Sequence, residues 1–355
     1  MKIATIIGAR PQFIKASALS KLIRKQRNIN EIIIHTGQHY DYEMSSIFFE
    51  ELNIPQPKYN LKIKSKYHGA MTGKMMEGIE KILLKEKPDY TLVYGDTNST
   101  LAGALASKKL HIPVIHIEAG LRSYNKKMPE EINRVLTDHC SDILFTPSKL
   151  AGENLKHEGI QQNSIINVGD IMYDVFLSVY KNLKKKNKTY DILVTIHRAE
   201  NTNSKSKMLN IIKNLNKLSK EYNILFPIHP RTKKIMGQYK ILELLSKKIK
   251  VVKPLSYKQA IYCLKYSKLL ITDSGGMQKE AFFAKTQTLT IRNETEWPET
   301  IRAKYNRLVN PKEKFIYAFA KKYISSIGNS AKPYGNGKTA ELIIKIIIKK
   351  IKKIR

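Results

Sequence analysis

Cysteine, acidic residues and long apolar runs are all scarce in this chain. Only two of its 355 residues are cysteines, Cys140 and Cys263, and they lie far apart with no partner at metal-ligand spacing. A disulfide framework and a zinc site are therefore not expected, and a reducing compartment is the default. The sequence shows no signal-peptide pattern and no stretch of the about 20 apolar residues that cross a bilayer. We therefore expect a soluble, cytoplasmic chain without stable membrane insertion.

The deficit of acidic residues gives the chain a strong positive charge. It has 63 Lys and Arg against 30 Asp and Glu, a formal net charge of +33. Such a balance is typical of proteins that bind nucleic acid or an anionic membrane surface. Here lysine is scattered and accompanied by isoleucine and asparagine, and no nucleic-acid-binding motif is present. We interpret the charge as a compositional bias and expect no nucleic-acid partner.

Strand and helix patterns alternate along the whole chain, which predicts parallel sheets covered by helices. In the first half the predicted strands are Lys2–Ile7, Glu31–His35, Tyr90–Tyr94, Val114–Ile117, Asp142–Phe145 and Ser164–Val168. From Asp191 the alternation restarts, with predicted strands at Ile192–Ile196, Asn223–Ile228, Lys250–Val252, Leu269–Thr272 and Thr286–Ile291. The fold class is therefore α/β, with two Rossmann-like domains facing a cleft. We place the first domain at residues 1–172 and the second at residues 173–339.

The C-terminal run from Thr339 to Arg355 is amphipathic. Its isoleucines recur at helical spacing, and lysines occupy the opposite face. A basic amphipathic helix can lie on an anionic membrane. We favour a terminal helix that docks on the protein with a solvated basic face.

In the first half, the loops after the predicted strands carry charged side chains. Gly8-Ala9-Arg10-Pro11 opens a helix that contains Lys15, and a glycine turn before a helix N-terminus suits a phosphate group. Asp96 and Glu118 follow neighbouring strands, so both carboxylates should face the same cleft and divide acid and base roles. Further along, Glu130 and Arg134 lie at the start of a predicted helix.

The second half repeats this arrangement with a different set of residues. His197-Arg198-Ala199-Glu200-Asn201 and His229-Pro230-Arg231 each follow a predicted strand. Asp273-Ser274-Gly275-Gly276 follows another, with Gln278 and Glu280 on the next helix. Ser274 is a suitable N-cap, and the two glycines allow a phosphate to approach the helix N-terminus.

Together these motifs resemble the non-hydrolysing UDP-N-acetylglucosamine 2-epimerase family over essentially the whole chain. The matching segments are Gly8–Pro11 with Lys15, Gly95–Thr97, His116–Arg122, Pro129–Arg134, His197–Asn201, Asp273–Gly276 with Gln278 and Glu280, Thr295–Glu299, and Pro333–Gly335. The resemblance implies a glycosyltransferase-B-like pair of domains, with residues 340–355 packing back on the first domain. It also implies a homodimer that uses no nicotinamide, other cofactor or metal.

The family's chemistry is inversion of C2 in a UDP-linked N-acetylated sugar, with UDP-N-acetylglucosamine and UDP-N-acetylmannosamine as the default pair. UDP is eliminated to a 2-acetamidoglucal and then added back, which would serve surface polysaccharide precursor synthesis. By resemblance, Asp96, Glu118 and Glu130 are the acid/base and charge-stabilising carboxylates, and His197 assists near the diphosphate. The implied UDP-sugar contacts are Arg10, Lys15, Arg122, Arg134, Arg198, His229, Ser274, Gly275, Gly276, Glu280 and Glu296.

Several alternatives remain open at this point. Gly8–Lys15 and Thr295–Trp297 look closer to a branch of the family that acts on UDP-2,3-diacetamido-2,3-dideoxyglucuronate. A hydrolysing relative would release UDP and free sugar, and a glycosyltransferase would not need a base aimed at C2. The segment Thr36–Asp41 keeps Gln38 and His39 but then departs from members activated by a second UDP-sugar, so we do not expect that activation.

Overall fold

The computed structural model describes residues 1–38, 46–185, 189–311 and 315–352, and the chain forms two compact units. Unit 1 comprises Met1–Val175 and Lys332–Arg355, and unit 2 comprises Phe176–Ala331. The chain passes from the first unit to the second within one helix. Each unit is built on its own parallel sheet, so the predicted α/β class with two Rossmann-like halves is confirmed.

Unit 1 alternates strands with helices. Its strands are β1 (Lys2–Ile7), β2 (Asn30–His35), β3 (Tyr59–Asn60), β4 (Tyr90–Tyr94), β5 (Val114–Ile117), β6 (Ile143–Thr146) and β7 (Ile165–Asn167). Its helices are α1 (Arg10–Ile23), α2 (Ser46–Glu51), α3 (His68–Glu86), α4 (Asn98–Lys109), α5 (Pro129–Cys140), α6 (Lys149–His157) and the terminal α15 (Thr339–Lys352), and α7 (Ile171–Tyr180) leads into unit 2.

Unit 2 repeats the alternation. Its strands are β8 (Ile192–Thr195), β9 (Ile224–Pro227), β10 (Ile249–Val252), β11 (Leu269–Thr272), β12 (Gln287–Thr290) and β13 (Asn306–Leu308). Its helices are α8 (Ala199–Thr202), α9 (Lys205–Leu218), α10 (Pro230–Gln238), α11 (Tyr257–Tyr266), α12 (Gly275–Ala284), α13 (Pro298–Arg302) and α14 (Ile316–Tyr323).

The strand order of each sheet fixes where a ligand can bind. Within the described ranges the orders are β3-β2-β1-β4-β5-β6-β7 in unit 1 and β10-β9-β8-β11-β12-β13 in unit 2, with parallel neighbours throughout. The direction of the order reverses between β1 and β4, and again between β8 and β11. Ligands of such sheets bind outside the carboxyl ends of the strands at this switch point. The loops that follow these four strands are therefore the candidate binding loops.

The strands are apolar because helices cover both faces of each sheet. In unit 1, Ile6, Ile34 and Val93 pack with Ile79 of α3 in one buried cluster. In unit 2, the side chains of β8, β9 and β11 join those of α9 in a second cluster. These two cores hold the strand ends in place beneath the polar loops.

Helix α15 packs against α1 of unit 1. Ile343 is 0% exposed and Ile347 is 2% exposed, whereas Lys345 and Lys349 are exposed, so the apolar stripe faces the protein. The amide of Ala340 donates a 2.7 Å hydrogen bond to Asp174, which ties the start of α15 to α7. Residues 353–355 of the predicted segment 340–355 lie outside the described residues. No helix in the described part of the chain is long and apolar enough to cross a membrane.

Removing the apolar contact of α15 tests this docking. Ile343→Ala should lower the free energy of unfolding by about 2–5 kcal/mol, because a buried isoleucine is replaced by a cavity. The neighbouring Leu342 is 41% exposed, so Leu342→Ala should change it by no more than about 0.5 kcal/mol. Urea unfolding followed by circular dichroism measures both, and equal losses in the two variants would contradict the docking.

Candidate active site

The loop after β1 is tied to β4 by one buried glutamine. Gln12 is fully buried on α1, and its side-chain oxygen accepts hydrogen bonds from the amides of Gly8 and Ala9 at 2.8 and 3.1 Å. Its amide group donates to the carbonyl of Tyr94 at 3.2 Å. The predicted phosphate loop is therefore fixed beside the end of β4, and Arg10 lies half-buried at the first position of α1.

Lys15 and Glu118 form a buried ion pair at the switch point of unit 1. Lys15 is 5% exposed and Glu118 is 7% exposed. A side chain at Gly95 would meet both of them, since a Cβ atom there would lie 2.8 Å from Lys15 Nζ and 3.1 Å from Glu118 Oε2. Gly95 has φ +64° and Glu118 has φ +73°, so both strands end in left-handed backbone. This conformation is unstrained at Gly95 but strained at Glu118, and strain of this kind clusters at functional sites, where the surroundings hold it in place.

Asp96 is held by Arg134 of α5. The Nε and Nη2 atoms of the guanidinium donate to Asp96 Oδ2 at 3.0 and 2.6 Å, and Nη1 donates to Glu131 at 2.7 Å. The side chain of Arg134 is only 3% exposed, whereas that of Asp96 is 28% exposed. The arginine therefore fixes a carboxylate whose face remains open to solvent. Asn133 of the same helix donates to the Asp96 carbonyl at 3.0 Å.

The adjacent carboxylates Glu130 and Glu131 at the start of α5 have different environments. Glu131 is buried and accepts hydrogen bonds from the amides of Ser123 and Tyr124 at 2.9 and 2.7 Å. Burial raises the pKa of Glu131, but these bonds and Arg134 outweigh it, so that pKa lies below its usual range. Glu130 is half-buried in the first turn, where the helix dipole favours a negative charge. Glu131 therefore serves the structure, and Glu130 remains the candidate for chemistry.

The structure places Arg122 inside a buried cluster of charges. Its Nη1 atom donates to Asp138 at 2.7 Å, and its Nε and Nη2 atoms donate to Glu158 at 2.6 Å each. The side chain is 1% exposed. His116 contacts Asp138 from the other side. The predicted contact of Arg122 with a sugar nucleotide stays a prediction.

In unit 2, the buried carboxylate of Asp273 organises the loop after β8. It accepts hydrogen bonds from the amides of His197 and Arg198 at 3.0 Å and from the side chain of Asn201 at 3.0 Å. The ring of His197 is 38% exposed and lies 5.7 Å from the ring of His229, measured between centroids. Both histidines therefore stand at the carboxyl edge of the sheet, as the sequence predicts for residues that follow β8 and β9.

Helix α12 begins at the carboxyl end of β11 with a suitable anion-binding N-terminus. Ser274 caps the helix by accepting the amide of Met277 at 3.4 Å. A Cβ atom on Gly275 would lie 2.1 Å from Glu296 Oε1, so this glycine lets the Glu296 carboxylate approach the helix closely. Glu296 is 5% exposed and pairs with Arg292 at 2.9 Å, and Glu280 is buried one turn further along α12.

The predicted site residues thus form two groups, one in each unit. In unit 1, Asp96 pairs with Arg134 and Glu118 pairs with Lys15 at the ends of neighbouring strands, and Glu130 lies at the start of α5, the helix that carries Arg134. His197, His229, Ser274 and Glu296 stand on neighbouring loops of unit 2. Gln38 accepts hydrogen bonds from Ser99 at the start of α4. His39, Tyr40 and Asp41 of the predicted Thr36–Asp41 segment lie outside the described residues. No cluster of three or more metal-ligating side chains occurs in the ranges that the structure describes.

Comparison with known proteins shows the family of the chain. The family model for UDP-N-acetylglucosamine 2-epimerase matches residues 21–348. The chain is 50% identical to a UDP-N-acetylglucosamine 2-epimerase homolog of Methanococcus maripaludis, over 98% of this chain and 99% of that protein. The chain belongs to the UDP-N-acetylglucosamine 2-epimerase family. It is therefore an isomerase, and the predicted family and enzyme class are confirmed.

Two further members of the epimerase family bear on the fold and on the substrate. A crystal structure of Methanocaldococcus jannaschii UDP-N-acetylglucosamine 2-epimerase in complex with UDP-N-acetylglucosamine and UDP has a TM-score of 0.93 at 44% identity, and covers 98% of this chain and 99% of that one. This likeness confirms the predicted glycosyltransferase-B-like fold class. The UDP-2,3-diacetamido-2,3-dideoxy-D-glucuronate 2-epimerase of Pseudomonas aeruginosa is 46% identical over 98% of this chain and 100% of that protein.

Several residues that hold the site together were not among the predicted site residues. Gln12, Asp138 and the buried ring of His116 bridge segments that are 18 or more residues apart, and Glu131 holds the loop that precedes α5. The sequence offers one indication of such a residue, which is a polar side chain inside an apolar strand, as with His116 in Val114–Ile117. The partners themselves follow only from the packing of α5 against the sheet.

The different roles of Glu131 and Glu130 predict different effects on stability. Glu131→Gln should lower the free energy of unfolding at pH 7 by about 2 kcal/mol, because buried donors lose their charged acceptor. Glu130→Gln should change it by no more than about 0.5 kcal/mol. Because the folded-state pKa of Glu131 is depressed, its contribution is present above the unfolded value of 4.5 and is lost as pH falls through the folded value.

Urea unfolding of both variants and the parent protein at pH 7 and at successively lower pH checks this prediction. The difference between Glu131→Gln and the parent should shrink in acid. A difference that grew in acid, or an equal loss in Glu130→Gln, would contradict the assignment of Glu131.

Proposed function

We propose that the chain is a non-hydrolysing epimerase that interconverts UDP-N-acetylglucosamine and UDP-N-acetylmannosamine. The observation that carries the proposal is the pair of carboxylates at the ends of the neighbouring strands β4 and β5, each beside its own buried cation. Asp96 is paired with Arg134, and Glu118 is paired with Lys15. Two carboxylates at adjacent strand ends can remove and return a proton at a single carbon atom.

The chemistry requires more than one acid/base group. No carbonyl lies next to C2 of this sugar, so its proton is only weakly acidic. In the proposed reaction a base takes the C2 proton, the C1–C2 double bond forms, and UDP leaves with the electron pair of the C1–O bond. UDP then adds back to C1 while a proton is delivered to the opposite face of C2. Asp96, Glu118 and Glu130 are the proposed acid/base and charge-stabilising groups.

The leaving diphosphate needs cations or helix dipoles around its oxygens. We assign this role to Arg10, Lys15, Arg198, His197, His229 and the α12 N-terminus at Ser274, Gly275 and Gly276. Glu296, which is held by Arg292, is the proposed ribose contact, with Glu280 nearby on α12. Arg122 and Arg134 are held in ion pairs, and we propose that they act on the substrate through the carboxylate loops that they stabilise.

UDP-2,3-diacetamido-2,3-dideoxyglucuronate is the second candidate substrate. The similarity to the Pseudomonas aeruginosa enzyme favours it, since that relative acts on this sugar. The C2 chemistry is the same, and the net charge of +33 suits a more anionic sugar. We extend the proposal to a cytoplasmic homodimer that serves surface polysaccharide precursor synthesis, as the family resemblance implies.

Product analysis tests the function. Purified protein incubated with UDP-N-acetylglucosamine should yield UDP-N-acetylmannosamine with UDP retained, as followed by proton NMR. Release of free sugar and UDP would indicate hydrolysis and contradict the proposal. If only the diacetamido uronate is converted, the second candidate is correct, and conversion of neither sugar contradicts the function.

The roles of the carboxylates can be tested separately from binding. Asp96→Asn and Glu118→Gln should each lower turnover by about 10²–10⁴-fold, because each removes an acid/base group. Calorimetry should show UDP binding within a few-fold of the parent protein. Glu153→Gln, an exposed carboxylate on α6, is the matched control and should keep full turnover. Near-normal turnover of either site variant would contradict the assignment.

A further inference from the structure

We propose that His116 carries a proton on both ring nitrogens and, as an imidazolium, positions the two loops that carry Asp96 and Glu118. His116 is thus a positioning residue, and this role rests on the proposed epimerase function. The ring lies on β5 and is 0% exposed. It contacts neither a substrate nor solvent, so its effect on the reaction passes through its hydrogen-bond partners.

Both ring nitrogens of His116 face acceptors. Nδ1 lies 2.7 Å from Asp138 Oδ1, and Nε2 lies 2.8 Å from the carbonyl oxygen of Gly95. A carbonyl oxygen has no proton to donate, and a neutral imidazole has only one N–H group. A neutral ring would therefore direct a lone pair at one of the two oxygens, whereas an imidazolium donates to both.

Asp138 is suited to be the ionised partner. Its other oxygen accepts hydrogen bonds from the amide of Gly120 at 3.1 Å and from Arg122 at 2.7 Å. Burial raises the pKa of Asp138, but the hydrogen bonds with His116 and Arg122 and the charge of Arg122 outweigh it, so that pKa lies below its usual range. The carboxylate accepts at both oxygens, which leaves no place for a proton of its own.

A charged His116 balances the buried charges of the cluster. Arg122 pairs with both Asp138 and Glu158, so one cation faces two anions, and His139 approaches Glu158 at 3.4 Å only from the more exposed side. The side chain of Asp138 is 0% exposed. An excess negative charge at this depth is costly, and a second cation at His116 removes it.

The cluster fixes both carboxylate loops at once. Gly95 donates its amide to the carbonyl of Ile117 at 2.9 Å and accepts from His116 at its own carbonyl, so both backbone polar groups of the residue before Asp96 are held. Asp138 holds the Gly120 amide, two residues after Glu118, whose left-handed backbone needs such support. Loss of the imidazolium should therefore displace the catalytic carboxylates and lower kcat, while substrate binding is largely preserved.

NMR of the full chain with ¹⁵N-labelled histidine tests the charge directly. At pH 7.5 both ring nitrogens of His116 should show attached protons, and the resonances are assigned by their loss in His116→Gln or His116→Asn. The exposed His111 is the reference for a ring in contact with solvent. A ring with one unprotonated nitrogen would overturn the proposal without bearing on the epimerase function.

Two variants distinguish a positioning role of His116 from a purely structural role in packing. His116→Gln places an amide donor near the Gly95 carbonyl, whereas His116→Asn places one near Asp138. We expect His116→Asn to lower kcat by about 100-fold and His116→Gln by about 10-fold, with KM for the UDP-sugar within about threefold in both. If His116 only stabilised the fold, the loss of kcat should be smaller in His116→Asn than in His116→Gln, because the asparagine still donates to the buried carboxylate of Asp138.

The outcomes are distinguishable. Equal losses, the reverse order, or a loss confined to KM would overturn the positioning role. Circular dichroism verifies that each variant is folded. If neither folds, the His116 resonances are assigned by through-bond correlation to the backbone of the parent protein, and the NMR measurement still decides the protonation state. If the parent protein converts neither UDP-sugar, the proposed function fails while the result on His116 stands.

Discussion

The candidate site of unit 1 depends on one constraint, which is that a charge taken out of water must be paired. Lys15 and Glu118 are both nearly buried, and each is the partner of the other. Arg134 is shared by Asp96 and Glu131. Because these pairs join β4, β5, α1 and α5, the position of each carboxylate is fixed by several elements rather than by its own loop. A catalytic group gains from such support, since small displacements lower the rate strongly.

In unit 2 the loop after β8 is held mainly by hydrogen bonds from backbone amides rather than by ion pairs. Asp273 accepts two successive amides and the side chain of Asn201, so one buried carboxylate shapes the loop that carries His197. Ser274 caps α12 by accepting the amide of Met277, and Gly275 lets the carboxylate of Glu296 approach the start of the helix. An ionised leaving group is stabilised by fixed dipoles, while the proton transfers need the titratable side chains of unit 1.

Much of this arrangement could be predicted from the sequence, because strand ends are visible in it. Apolar runs such as Tyr90–Tyr94 and Leu269–Thr272 were located to the residue, and the polar loops after them hold the candidate site. The short edge strand Asn306–Leu308 was missed, since three partly polar residues carry no period-2 signal. Apolar helix α7 was missed because its sequence lacks a polar face.

The partners of the charged residues could not be predicted. Asp138 lies 22 residues after His116, and the periodicity of α5 does not show which buried group its carboxylate meets. The same holds for Glu131, which looks no different from Glu130 in the sequence. The difference between the two carboxylates arises from burial and from the amides of Ser123 and Tyr124 in the preceding loop, so it appears only with the tertiary structure.

The central claim is that the proton at C2 is removed and replaced during epimerisation. The most direct test is to incubate the protein with UDP-N-acetylglucosamine in deuterated water and follow C2 by proton NMR. The account predicts that UDP-N-acetylmannosamine forms with deuterium at C2 and that no UDP is lost. Formation of the isomer with its original proton still at C2 would contradict the elimination and the role of the carboxylates in it.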